Sequence, residues 1–239
     1  YAALLAGPAN EVAVVDSWVE HIEAIRAQGL RVEGASGDRT VALTATTDAN
    51  EVGEVDLVVI ATKARHAAEA AASARPLIGA ETIVLTIQNG LGSDAVVAGI
   101  LGEERTIAGT AAVFGASIVA PGHAHHHHLG MIRLGERSGP ATERVARVAA
   151  VWRDAGFRVA LFDDGRFRLL DRQADDILNR ELRVLECQAQ RGLHAHGIRV
   201  RHVLAVGARA ETQHFGVDAR AAAARVLELF EHETARALA

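Results

Sequence analysis

The stretch "LTIQNGLGS", residues 85–93, joins an apolar run to a side-chain amide and two glycines. Asn89 offers both a hydrogen-bond donor and an acceptor, so it can hold the reacting end of a polar ligand. Gly90 and Gly92 lack a Cβ, which lets a ligand approach the backbone. The alternative is the Asn-Gly turn of a hairpin, but a helical pattern follows instead of a strand. The stretch therefore predicts a ligand contact at Asn89 and Gly90.

Two charged side chains follow other apolar runs. Asp16 ends "EVAVVD", where a carboxylate can accept hydrogen bonds from the ribose hydroxyls of a dinucleotide. The alternative role for Asp16 is to cap the helix that follows. Lys63 comes just after "VDLVVIAT" and can reach a cofactor phosphate or ribose. Its alternative role is that of an ordinary solvated loop lysine.

The elements that must position these residues alternate between two periodicities. "EVAVVD" predicts a strand, and the segment after it has apolar residues at helical spacing up to Gly29. "VDLVVIAT" is too continuously apolar for a half-exposed strand and predicts a central parallel one. An Ala-rich helix, the strand "TIVLT" and a helix capped by Ser93 follow. This βα repeat predicts a doubly wound parallel sheet, which binds ligands at the carboxyl ends of its strands.

The remaining segments complete the predicted architecture. "LRVEG" and "RTVALTATT" predict two strands of a hairpin. From Arg105 onwards, "TIAGTAAVFGASIVA" and "MIRLGE" predict an antiparallel extension of the sheet. "PATERVARVAAVWRDAG" predicts an amphipathic helix and "FRVALF" one more strand. Everything after Asp163 has a helical pattern. We therefore predict an α/β dinucleotide-binding domain over residues 1–163 and an all-helical domain over residues 164–239.

Composition excludes several classes of protein. The chain has 239 residues, with 25 basic and 30 acidic side chains and a net charge of −5. Because no basic block is present, nucleic acid is a poor partner. No apolar run approaches the roughly 20 residues that span a bilayer. The single cysteine, Cys187, cannot form an intramolecular disulfide and fits a reducing compartment. We expect a cytoplasmic protein that binds neither nucleic acid nor membrane.

The motifs together resemble the N-terminal domain of the ketopantoate reductase family. The similarity runs collinearly over about the first 165 residues, from "EVAVVDSWVEHIEAIRAQGLRVEG" through "VDLVVIATKARHAAEAA" and "IVLTIQNGLGS" to "IRLGE". It implies a Rossmann-like fold, with Asn89 at the substrate or nicotinamide end and Lys63 on the cofactor. Family members open with a GxGxxG turn just before a helix such as "YAALLA". We therefore expect such a turn to precede Tyr1 in the natural protein.

The C-terminal part departs from the family pattern. Family members carry a catalytic lysine in a Trp-x-Lys-Leu helix, where Arg172 stands in this chain, and no lysine occurs after Lys63. Arginine can stabilise an oxyanion but is a poor proton donor, because its pKa exceeds about 12. By resemblance, Asn179 and Glu211 are candidate substrate ligands.

The resemblance implies an oxidoreductase that reduces a small 2-keto acid, most directly 2-dehydropantoate to pantoate, with NAD or NADP. Asp16 without an adjacent arginine favours NAD, because a carboxylate repels a 2′-phosphate. We expect the helical domain to bind substrate and to form a homodimer. Two alternatives remain open. One is a nucleotide-binding relative without turnover, and the other is a dehydrogenase or imine reductase in which Arg172 binds the carboxylate of another substrate.

Histidines supply further candidates. "GHAHHHHLG" predicts a strand with His123, His125 and His127 on one face. An i, i+2 pair can reach one metal, but no cysteine or carboxylate in the segment completes a site. We therefore interpret it as a histidine-rich surface strand and assign no metal. Because Arg172 is a poor acid, the proton donor is expected to be a water or one of three histidines, namely His194, His196 and His202.

Overall fold

The computed structural model describes residues 1–89 and 92–162 and the backbone of residues 200–205. The helices are α1 (Ala2–Leu5), α2 (Val19–Gln28), α3 (Ala67–Ser73), α4 (Ser93–Leu101) and α5 (Glu143–Asp154). The strands are β1 (Asn10–Val15), β2 (Leu30–Gly34), β3 (Arg39–Val41), β4 (Thr44–Thr46), β5 (Val55–Ile60), β6 (Ile78–Thr86), β7 (Thr106–Ala112), β8 (Gly115–Ala120), β9 (His123–His128), β10 (Met131–Glu136), β11 (Arg158–Leu161) and β12 (Val200–Ala205). None of the helices in these ranges is long and apolar enough to cross a membrane.

The main sheet has eight strands in the order β11-β10-β7-β6-β5-β12-β1-β4. The strands from β7 to β4 in this order are all mutually parallel, and β10 pairs antiparallel with β7. The predicted doubly wound parallel sheet is therefore confirmed. Its central strand β5 is buried on both faces, as the apolar run predicts.

The core lies on both sides of this sheet. Along β5, Leu57 and Val59 belong to one apolar cluster, while Val58 and Ile60 belong to the other. This alternation follows from the two-residue period of a strand. The first cluster includes residues of α1, α2 and α5, and the second includes residues of α3 and α4. The predicted apolar face of α5 is confirmed, because Val145, Val148, Ala149 and Trp152 are all buried.

A second sheet has four strands in the order β3-β2-β9-β8. The predicted hairpin is present as β2 and β3, but "RTVALTATT" is not one strand. Its first part is β3, and its last part is β4 at the edge of the main sheet. The expectation that all of residues 106–136 extend the main sheet is also wrong in part, because β8 pairs with β9 and β9 pairs with β2.

Two further expectations need correction. Ser93 does not cap α4, since it is the first helical residue and Gly92 occupies the cap position. The prediction that all residues after 163 are helical fails at β12, which lies parallel between β1 and β5. Local periodicity misses such a strand because its partners are far away in sequence. The predicted boundary at residue 163 stays a prediction, and the predicted helical domain otherwise lies outside the described residues.

Candidate functional site

The predicted site residues of the first half meet at one edge of the main sheet. β1, β5 and β6 run in the same direction within the sheet, so their carboxyl ends lie at the same edge. A cavity of about 650 Å³ opens there, and its lining includes Asp16 after β1, Lys63 after β5 and Asn89 after β6. This volume falls within the range of about 300–1,000 Å³ that is typical of ligand pockets. The three residues are thus brought together as expected.

Most of the other candidate site residues from the sequence cannot be placed. Gly90, Arg172, Asn179 and Glu211 lie outside the described residues, as do His194 and His196. His202 lies in β12, where its backbone is in register with Val12 and Leu57. It stands three residues before the end of that strand, about 10 Å from the cavity edge at 3.3 Å per residue. The role of His202 as a proton donor stays a prediction.

The side-chain amides of "QN" connect three neighbouring strands. The Asn89 amide nitrogen donates to the Ala111 carbonyl at 3.0 Å, and the Ala111 N–H donates to the Asn89 amide oxygen at 3.0 Å. Gln88, which is buried, donates to the Ile60 carbonyl at 2.8 Å and accepts from the Thr86 hydroxyl. The amides therefore fasten the end of β6 to β5 on one side and to β7 on the other. We call residues 88 and 89 the amide clamp.

The clamp limits what Asn89 can offer a ligand. A primary amide has two N–H donors and an oxygen with two lone pairs, and the two bonds to Ala111 use one of each. One donor and one lone pair remain for a ligand in the cavity. Gly92 has φ of 86°, and apart from its chain neighbours no described residue has an atom within 4 Å of the position that its Cβ would take. The glycine thus supplies the left-handed backbone conformation at the cap position of α4.

The alternative role of Asp16 as the cap of α2 is wrong, because Trp18 occupies the cap position. The Oδ1 of Asp16 accepts a hydrogen bond from the Trp18 N–H at 2.8 Å, immediately before α2 begins at Val19. The carboxylate therefore fixes the backbone of residues 16–18, just before α2, and lines the cavity at the same time. These two roles are compatible, because a carboxylate has several lone pairs.

Thr62 and Lys63 form the β5 side of the cavity. Lys63 is exposed, and no described residue forms a hydrogen bond or ion pair with its ammonium group. Thr62 is 7% exposed, and its hydroxyl has no hydrogen-bond partner among the described residues. Buried hydroxyls are normally paired, so an unpaired one in a cavity wall indicates a ligand or water contact. Sequence analysis missed Thr62, although it precedes Lys63 directly.

His21 is a second cavity residue without a sequence signal. It lies on α2, stacks on Trp18 at 5.2 Å between ring centroids, and accepts a hydrogen bond at Nδ1 from the Gly122 N–H at 3.0 Å. Burial lowers the pKa of His21. A neutral ring that accepts at Nδ1 carries its proton at Nε2. His21 therefore connects α2 to the turn between β8 and β9, a contact that only the tertiary fold creates.

The histidine-rich strand β9 is only partly a surface strand. His126 is 3% exposed and packs on Phe114, with 4.5 Å between ring centroids, and burial lowers its pKa. This burial corrects the surface interpretation, because His126 faces the cavity-lining Phe114 while His123 and His125 lie beside Glu33. Within the described ranges, no three His, Cys, Asp or Glu side chains are grouped so that they can hold a metal ion.

Comparison with known proteins decides the family. A family model described as ketopantoate reductase PanE/ApbA matches residues 1–139, more than half of the chain. The chain belongs to the ketopantoate reductase family. It is 35% identical over 160 residues to the 2-dehydropantoate 2-reductase of Halobacterium salinarum. The aligned residues make up 66% of this chain and 52% of that protein.

Two other comparisons agree. The 2-dehydropantoate 2-reductase of Streptococcus pyogenes serotype M1 is 29% identical over 180 residues, covering 74% of this chain and 58% of that protein. The crystal structure of 2-dehydropantoate 2-reductase from Geobacter metallireducens superposes with a TM-score of 0.56 at 28% identity, covering 64% of this chain and 58% of that one. This ketopantoate reductase family member thus spans between about half and three fifths of the length of these relatives.

Proposed function

We propose that the chain binds a nicotinamide dinucleotide and takes part in the reduction of a small 2-keto acid, with 2-dehydropantoate as the first substrate to test. The observation that carries this proposal is the cavity that gathers Asp16, Lys63 and Asn89 in a member of the ketopantoate reductase family. Two homologues of similar sequence are named 2-dehydropantoate 2-reductase. The substrate, the homodimer and the catalytic role of the C-terminal residues belong to this proposal.

The cavity residues fit such a cofactor. The ammonium of Lys63 is available for a phosphate or ribose oxygen, and the Thr62 hydroxyl is unpaired within the described chain. Asp16 offers a carboxylate to ribose hydroxyls, and Asn89 retains one donor and one acceptor for the reacting end. When bound, the nicotinamide supplies a hydride to the keto carbon. The residues of this chain bind and orient the cofactor and the substrate.

Cofactor preference is tested with a matched pair of variants. We expect tighter binding of NADH than of NADPH in a titration followed by nicotinamide fluorescence, because the Asp16 carboxylate repels a 2′-phosphate. Asp16→Asn keeps an oxygen for the Trp18 N–H but removes the charge. It should tighten NADPH binding by roughly fivefold, as expected for an exposed charge pair worth about 1 kcal/mol. Asp16→Ala also removes the acceptor of the Trp18 N–H, so the two variants separate the charge from this hydrogen bond.

The single lysine allows a direct structural test. Lys63 is the only lysine in the sequence, so reductive methylation with ¹³C labels only this side chain and the amino terminus. The lysine methyl resonance, identified by its loss in Lys63→Arg, should shift on addition of NADH. If NADH binds while this resonance stays unchanged, Lys63 does not contact the cofactor.

One observation favours a second function, that of a nucleotide-binding protein without turnover. The sequence contains no lysine after Lys63, and by resemblance Arg172 stands where family members carry their catalytic lysine. Turnover of NADH with 2-dehydropantoate is the deciding measurement. Binding of NADH without turnover at any pH assigns the binding function, whereas turnover with a neutral-range pKa in its pH profile assigns the reductase function.

A further inference from the structure

Arg133 is a buried cation that does not line the cavity. It lies on β10, and only 4% of its surface is exposed. Its Nε and Nη2 atoms are buried, and they form no hydrogen bond with any described residue. Because a buried charge without a partner destabilises a fold, such groups are normally paired. The Arg133 side chain therefore indicates an anion at this position.

The two unpaired nitrogens belong to one edge of the guanidinium group, which we call the Arg133 fork. The Nε–H and Nη2–H bonds of an arginine point in the same direction, and together they match two oxygens of a carboxylate or a phosphate. Arg144 shows this geometry in the same molecule, because its Nε and Nη2 donate to the two carboxylate oxygens of Glu136. The Arg133 fork has the same donors and no described acceptor.

A second arginine lies on the same face of the main sheet. Arg133 pairs with Ala160 of β11, and Arg158 stands two residues before Ala160 on that strand. Side chains two residues apart on a strand point to the same face, so Arg158 is a diagonal neighbour of Arg133. Arg158 is exposed, and it forms no hydrogen bond or ion pair with a described residue. The two cations thus share a face but no described partner.

The paired residues of β7, β10 and β11 on this face carry no negative charge. Glu136 points to the opposite face of β10, where Arg144 binds it. Thr110 of β7 pairs directly with Arg133 and adds a hydroxyl group to the face. The other paired residues on this face are apolar or glycine, namely Ala108, Ala112, Met131, Gly135 and Ala160. Two neighbouring cations repel each other, and an anion between them replaces this repulsion with attraction.

We propose that Arg133, Arg158 and Thr110 form a binding site for a small oxyanion, a carboxylate or a phosphate. The Arg133 fork donates to two oxygens of the anion, and the Thr110 hydroxyl supplies a further donor. Arg158, at the exposed side, attracts the anion from solvent. None of the three residues lines the cavity, so the site is separate from the proposed dinucleotide site.

The resonance of the Arg133 Nε–H group tests the site directly. In the full chain labelled with ¹³C and ¹⁵N, this resonance is assigned through its couplings along the side chain. Replacing chloride with acetate or inorganic phosphate at constant ionic strength should shift the resonance until it saturates. The anion that saturates it at the lower concentration identifies the preferred ligand. A resonance that stays unchanged with both anions overturns the site.

An exposed variant tests the second arginine and leaves the buried fork in place. Arg158→Gln should weaken binding of the preferred anion by roughly fivefold, as expected for an exposed charge pair worth about 1 kcal/mol. The matched control is Arg147→Gln, an exposed arginine of α5, which packs on the other face of the sheet. Equal affinity of the two variants overturns the two-arginine site.

Thermal unfolding separates a bound anion from an arginine that is merely buried. In chloride, Arg133→Met should raise the Tm, because it removes a buried charge without a partner. Acetate or phosphate at 100 times its Kd should raise the Tm of the unmodified chain and leave that of the methionine variant unchanged. An equal rise in both chains contradicts binding at Arg133.

Discussion

At the scale of single residues, the cavity edge is made by side chains that stabilise the fold and face the ligand space together. Asp16 accepts a hydrogen bond from the Trp18 N–H just before α2, and Gln88 and Asn89 connect the ends of neighbouring strands. Sequence analysis assigned Asp16 and Asn89 to the ligand because polar residues follow apolar strands. It could not predict the hydrogen bonds of Gln88 and Asn89, because their partners Ile60 and Ala111 become neighbours only in the sheet.

Asn89→Ala is expected to lower the free energy of unfolding by about 1–3 kcal/mol, because the N–H and C=O of Ala111 lose their partner. Urea denaturation measures this change. The matched control is Asn50→Ala, which removes an exposed amide and should stay within about 0.5 kcal/mol. Equal stability of both variants would assign the Asn89 amide to ligand binding alone.

Glu136 provides a prediction on pH. Burial alone would raise its pKa, but hydrogen bonds from Arg144 and Thr142 outweigh burial and hold the pKa of Glu136 below its ordinary value of 4.5. A depressed pKa in the folded state stabilises the fold above the unfolded pKa, and this contribution is lost as the pH falls through the folded value. Thermal unfolding should therefore show stability falling below about pH 4.5. Glu136→Gln should reduce that fall, and an identical pH profile would rule out this ion pair as its cause.

At the scale of elements, the βα repeat was predictable and the pairing of short strands was not. β5 and α5 follow their apolar periodicities closely. β3 and β4 belong to different sheets although they are separated by two residues, which periodicity cannot indicate. β12 was assigned to a helix for the same reason. Local pattern specifies the type of an element better than its partner.

The turn between β7 and β8 stores backbone strain. Val113 has φ of 52° and is 70% exposed, and a β-branched residue rarely adopts a positive φ. Val113→Gly should raise the free energy of unfolding by about 1 kcal/mol, as measured by urea denaturation. Val119→Gly, at a comparably exposed valine of β8, should instead lower it. A loss of stability in both variants would show that the turn is relaxed.

At the scale of the whole molecule, the proposed function predicts coupling between ligand and stability. NADH at 100 times its Kd should raise the free energy of unfolding by about 2.7 kcal/mol, seen as a higher Tm. Lys63→Met should reduce the shift at the same NADH concentration, because the cavity loses its free ammonium. The control is Arg39→Met, which removes an exposed cation that does not line the cavity. This variant should keep the full shift.

The pairing of Asn10 with Val200 also affects how the protein is made. Protein synthesis runs from the N-terminus, so β1, β5 and β6 leave the ribosome long before their central partner exists. Until residues 200–205 emerge, β1 and β5 expose unpaired N–H and C=O groups, which invite pairing with other chains. Contacts so distant in sequence slow folding. The nascent chain is therefore expected to depend on chaperones until its last described strand enters the sheet.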